Sequence, residues 1–221
     1  MKQLIQNNWF RFSITFLFCL LYSLLRETSY STFVKPLPIL FWLLIVINSS
    51  RIGSANWLIY ALITAAMGDI LLDLGTQWLK IGAIPFLVST AFLAYAFYTR
   101  LKRSEPAVSL LKKMSVIFLA FIPFAVLYVY IRGYSDEAAT TGLVLFTLSA
   151  FLIANALANL IFNRSEHSNI IKPILGFAGA CSIVANFVLY SVDLYVTPIP
   201  RDLVIQVYYW GTAFVTWSFI D

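Results

Sequence analysis

The chain has 221 residues, of which 61% are hydrophobic and only 11% charged; soluble domains run to about 45–50% apolar and about 25% charged. The mean hydropathy of +0.84 points the same way, and so little charge leaves a soluble fold of this size without enough polar residues to cover its surface. The net charge of +5 does not indicate nucleic acid, because the basic residues gather at the ends of apolar runs rather than along one polar face.

In chain order, eight apolar stretches approach the roughly 20 residues that a membrane-spanning helix needs. They cover residues 12–25, 34–47, 56–74, 79–101, 114–131, 140–162, 173–196 and 203–220, the first two being short. Loop chemistry separates them, as in Asn48-Ser49-Ser50-Arg51 and Thr197-Pro198-Ile199-Pro200. The expectation is an all-α bundle of about eight transmembrane helices forming a single polytopic domain over residues 1–221. A rival reading takes 12–25 as a signal peptide, but Ser29-Tyr30-Ser31 fits the small-x-small cleavage pattern poorly.

Arg100, Lys102, Arg103, Lys112 and Lys113 follow the fourth stretch and mark a cytoplasmic loop. Eight crossings then place both termini in the cytoplasm. Ten Lys and Arg fall on that side, and five on the other: Arg26, Lys35, Lys80, Arg132 and Arg201.

Ionisable groups at membrane depth are costly and mark functional sites. Asp69 stands thirteen residues into the third stretch, roughly 20 Å along the helix and in the outer half of the membrane. Asp73 follows one turn later on the same face and reads as an interface residue. Asn186 stands thirteen residues after Pro173, as Asp69 does after Asn56, and Asp193 follows it near the same face, again as an interface residue. Thr90 and Thr212, in stretches running inward, fall near the same level; as threonines they also suit the hydrogen bonds that hold helices together. Lys35, at the outer start of the second stretch, is the expected cationic partner of Asp69, or else a snorkelling anchor.

Other chemistries find no support. Cys19 and Cys181 lie in apolar runs and read as small buried hydrophobes. His167 is the sole histidine, so a histidine-built zinc site is excluded. The sequence has no phosphate-cradling glycine loop and no GxSxG turn, and no cofactor or metal is expected. Pro85 and Pro123 interrupt apolar stretches, but not at matching places in the two halves, as the broken helices of a transporter would.

Several passages together resemble the YhhN/lysoplasmalogenase family of eight-span membrane proteins. Phe33-Val34-Lys35-Pro36-Leu37-Pro38 is similar to its Lys-Pro entry to the second span, and Gly68-Asp69-Ile70-Leu71-Leu72 to its Gly-Asp motif. Gly82 to Phe86, ahead of Tyr95 and Phe97, resembles the glycine and aromatic pattern of its fourth span. Gly179-Ala180 with Asn186, and Tyr208-Tyr209-Trp210-Gly211-Thr212, resemble its last two. The chain departs from the pattern in carrying Asn186 where the family usually has a second aspartate, Thr90 for a histidine and Thr212 for a glutamine.

The resemblance implies hydrolysis of the vinyl-ether bond of lysoplasmalogens, with membrane lipids and a lysophospholipid as partners, in the inner membrane of a cell. An enol ether is opened by protonation at carbon, followed by water attack on an oxocarbenium-like carbon. That asks for a general acid and a group that positions water. Asp69 is the expected acid and Asn186 the second catalytic position, where an amide can orient water but not exchange protons. Lys35, Thr90, Thr212 and Tyr208 would bind the substrate, with Lys35 near its phosphate. The rival of a different class is a non-catalytic lipid-binding or structural protein of the same fold, which the missing acid and histidine favour.

Overall fold

The structure is a computed structural model that describes residues 7–28, 30–49, 55–74, 79–104, 110–133, 136–162 and 170–220. Lys2, Ser29, Ser50, Arg51, Arg164 and His167 lie outside the described residues. Among those described, the chain forms helices and no strands: α1 (Asn8–Leu25), α2 (Ser31–Val34), α3 (Leu37–Asn48), α4 (Ala55–Asp73), α5 (Leu79–Ser104), α6 (Leu110–Arg132), α7 (Asp136–Phe162), α8 (Ile171–Tyr195) and α9 (Arg201–Phe219).

Each expected span coincides with a helix, with one difference. The second is made of two pieces, α2 and α3, joined through Lys35 and Pro36. Proline has no N–H to offer the preceding turn, so the chain restarts there as a new helix with Pro36 at its cap. Pro85 and Pro123 lie inside α5 and α6, which continue through them.

Among the described residues, six helical segments are long and apolar enough to cross a membrane: α1, α2 with α3, α4, α5, α7 and α8. The chain is a multi-pass membrane protein. α6 carries a shorter apolar stretch, Ser115–Tyr130. α9 is diluted by Arg201, Asp202, Gln206 and two tyrosines. It has less need of an apolar exterior, because Val204, Tyr208, Tyr209, Gly211, Thr212, Ala213, Val215, Thr216 and Ser218 are all buried.

Helix contacts close a circuit: α3 packs on α4, α4 on α5, α5 on α7, α7 on α8, α8 on α9, and α9 back on α3. α1 lies against α9 and α3 outside it, where Trp42 Nε1 donates to Thr15 Oγ1 at 3.0 Å. α6 packs against α7 and turns Phe118, Leu119, Val126 and Val129 outward. Small residues fill the interior, among them Ala61, Ala65, Ala94, Ala150, Ala180 and Ala213. In lipid, where apolar contact alone gives helices no reason to associate, such residues let backbones approach and pack.

Candidate functional site

Polar contacts tie several helix ends together at one end of the bundle. Asp73, at the end of α4, accepts on Oδ2 from Ser31 Oγ (2.7 Å) and Thr32 Oγ1 (2.9 Å) of α2. Its Oδ1 lies 3.6 Å from Lys35 Nζ. Tyr209 of α9 donates its hydroxyl to the carbonyl of Lys35 at 2.6 Å. Arg26, just past α1, pairs with Asp202 of α9 at 2.7 Å, and this hydrogen-bonded carboxylate, with its charge, holds the guanidinium more firmly protonated than usual. Asp193 Oδ1 accepts from the Ile199 N–H at 2.8 Å, fastening the turn between α8 and α9.

Asp69 stands one turn inside this layer. It is 2% exposed, and its Oδ2 has no hydrogen-bond partner among the described residues. Lys35 is within electrostatic reach of it, although the acid that Lys35 meets directly is Asp73. Gly68 lets α5 come close beside it: a Cβ there would stand 2.6 Å from Phe86 Cε2.

Deeper still, α4, α5, α8 and α9 enclose a small cavity with room for about one water molecule. Phe86, Phe187 and Tyr208 meet around it, Phe86 lying edge-on to both of the others at centroid distances of 6.4 and 5.6 Å. Thr90 and Thr212 line the cavity. They do not bridge helices: each donates to a carbonyl of its own helix, Thr90 to Phe86 (2.8 Å) and Thr212 to Tyr208 (3.0 Å). The bridging contact comes from Ser89, which donates to the Ala61 carbonyl of α4 at 2.8 Å. The Tyr208 hydroxyl lies near Thr212 but meets hydrogen-bond geometry with no described residue, and Thr216 Oγ1 is likewise unpartnered and buried.

The family model of the YhhN family matches residues 30–219. The chain belongs to the YhhN family. No curated protein and no solved structure matches it. The YhhN match takes in every helix except α1.

Of the residues expected at the YhhN site, Thr90, Tyr208 and Thr212 share the cavity. Asp69 lies one turn beyond Ala65, the outermost α4 residue of its wall, and Lys35 lies in the strapped layer above. Asn186 is half-buried on α8, next to the cavity residue Phe187 but outside the lining. Asp73 and Asp193, expected at the interface, hold α2 and the α8–α9 turn. Sequence reasoning passed over Ser31, Thr32, Tyr209 and Thr216. Only Thr216 carried a usable signal, being one turn from Thr212 and two from Tyr208 on the same helix face.

Proposed function

We propose that this protein is a lysoplasmalogenase-like membrane hydrolase, splitting the vinyl ether of a lysoplasmalogen into a fatty aldehyde and a glycerophospho-alcohol. One observation carries the reading beyond family membership: Asp69 is buried in the bundle with an unpartnered carboxyl oxygen. A carboxyl withdrawn from water with one oxygen left unpartnered is costly and calls for a use.

In this mechanism Asp69 gives a proton to the outer carbon of the enol ether. The carbon bearing oxygen becomes oxocarbenium-like and takes up water, and the resulting hemiacetal separates into aldehyde and alcohol. The proton released by the water returns to Asp69. Asn186 would orient water or the ether oxygen by hydrogen bonding. Lys35 would meet the substrate phosphate, sharing its charge with Asp73. Thr90, Thr212 and Tyr208 would line the path of the reacting end. The site belongs to the non-cytoplasmic end of a bundle in the cell's inner membrane, the side with five Lys and Arg against ten.

The deciding experiment is aldehyde release from lysoplasmenyl-ethanolamine or lysoplasmenyl-choline by purified protein. Asp69→Asn should cut turnover by about a hundredfold or more, the usual contribution of a positioned acid. Asn186→Asp, which restores a second carboxyl, should raise it. Full activity in Asp69→Asn would remove Asp69 from the mechanism.

Two observations favour a second reading, a non-catalytic lipid-binding member of the family. The second acid is absent at Asn186, and the cavity is far smaller than a lysolipid headgroup. Folded protein that retains lipid through purification and releases no aldehyde would establish it.

A further inference from the structure

Two residues that line the cavity carry buried hydroxyls, Tyr208 and Thr216. Tyr208 is 5% exposed and Thr216 is fully buried, and neither hydroxyl has a hydrogen-bond partner among the described residues. Both residues line the same space between α4, α5, α8 and α9. The large majority of polar groups so buried are satisfied, by protein or by ordered water. We infer that this cavity is a binding site for a single water molecule, held by Tyr208 and Thr216, and that this is the water consumed by the hydrolysis.

The site meets the three requirements of a buried water. Its size is that of one molecule. Its wall is polar enough: Ser89, Thr90 and Thr212 spend their protons on carbonyls, which leaves their lone pairs free to accept. Tyr208 and Thr216 supply the donors, so the water can make the two to four bonds that such waters make. Its place also suits the chemistry. The α4 wall ends at Ala65 and Asp69 is four residues on, a rise of about 6 Å. The water therefore waits on the inner side of the proton donor, beside the contacting rings of Phe86, Phe187 and Tyr208.

The role given to this water rests on the hydrolase reading; its presence does not. Once Asp69 has protonated the enol ether, a lone pair of the water forms the new carbon–oxygen bond at the oxocarbenium carbon. One water proton passes to the Asp69 carboxylate. The hemiacetal then breaks its bond to the glycerol oxygen, which leaves as the alcohol, so that substrate and water balance aldehyde and alcohol. Tyr208 and Thr216 touch the water and act as positioning residues.

Two measurements test this on the full chain in lipid bilayers. Magnetisation transfer from water in solid-state NMR should reach the Tyr208 and Thr216 signals, and Thr216→Val should weaken the transfer to Tyr208 severalfold. In aldehyde release, Thr216→Val should lower kcat about tenfold, the worth of one lost hydrogen bond, with KM unchanged. Thr216→Ser, which keeps the hydroxyl, should recover most of the rate. With methanol present, Thr216→Ala has room for the alcohol beside the oxocarbenium carbon and should yield the mixed methyl acetal, which the parent should not. A parent cavity that receives no magnetisation from water overturns the inference even if aldehyde is released. A rise in KM with kcat unchanged would make the cavity a slot for the lipid chain, and also overturns it. Water transfer without any aldehyde release would sink the hydrolase reading and the role of the water while leaving the water site standing.

Discussion

Asp73 commits both carboxylate oxygens to the segment that opens the second span, one to Ser31 and Thr32 and the other to Lys35. The side chains of Lys35 and Asp73 are only 11% and 17% exposed, so the pair is more than a surface contact. Breaking a buried pair from one side leaves an uncompensated charge and costs about 3–5 kcal/mol when burial is complete. At this partial burial Asp73→Ala should cost about 1–3 kcal/mol, seen as a lower Tm in detergent by tryptophan fluorescence. Asp73→Ala with Lys35→Met should recover part of that loss. If the two changes simply add, the ion pair contributes nothing and the hydroxyls of Ser31 and Thr32 carry the whole effect. Asp69 was legible in the sequence, because the cost of an ionisable group at depth needs no structure to be recognised. Its surroundings were less so. Helical spacing shows that Asp69 and Asp73 share a face, but not which of them a folded-back segment will meet. Lys35, expected against Asp69, takes Asp73 as its direct partner for that reason.

At the scale of the helix, α8 and α9 cross at glycines. A Cβ on Gly179 would stand 2.6 Å from the Val215 nitrogen and 2.7 Å from the Gly211 carbonyl oxygen. Those are backbone atoms and cannot turn aside, so Gly179→Ala must push the two helices apart, at about 1–3 kcal/mol. The obstacle at Gly68 is the edge of the Phe86 ring, a side chain with some freedom to tilt. Gly68→Ala should therefore lower Tm less than Gly179→Ala does, while disturbing turnover through the ring beside Asp69. The reverse order of Tm losses would show that the α8–α9 crossing yields and the ring does not. Both glycines stand in motifs visible in the sequence, Gly68-Asp69 and Gly179-Ala180. The eight apolar stretches were legible from hydropathy, and each became helical, seven as single helices and the second as two pieces. The break at Lys35-Pro36 and the inner place of α9 were not read: apolar runs locate helices, whereas their order around the core depends on contacts between distant segments. Thr90 and Thr212 show the same limit. Their depth could be read, but their protons go to their own helices, which spacing does not forbid.

Across the whole molecule, charge and contacts divide the bundle into two unlike ends. The ends of α1, α4 and α8 and the starts of α2 and α9 share one set of contacts: Arg26 with Asp202, Asp73 with α2, Tyr209 with Lys35, and Asp193 with Ile199. The end of α5 meets the end of α9 on the opposite side, where Arg100 donates to the Ser218 carbonyl at 2.6 Å. The strapped end holds the sequence positions Glu27, Asp73, Asp136, Glu137, Asp193 and Asp202, six of the ten acids, while the helix positions of Arg11, Arg100, Lys102, Lys112 and Lys172 fall at the other. An uneven distribution of Lys and Arg sets orientation because cationic loops resist transfer across the membrane. The strapped end, with Asp69 one turn inside it, should then face away from the cytoplasm, and a lysolipid would reach the acid from the outer leaflet. Single cysteines at Glu27 and Lys102, in a chain with Cys19 and Cys181 replaced by alanine, read this directly. A membrane-impermeant maleimide should label Glu27→Cys in right-side-out vesicles and Lys102→Cys only in inverted ones. The opposite labelling would turn the molecule over and make the inner leaflet the source of its substrate. Labelling of both from one side would mean an even number of crossings between them, where the eight-span reading has three, and would rule out that reading with the two termini together.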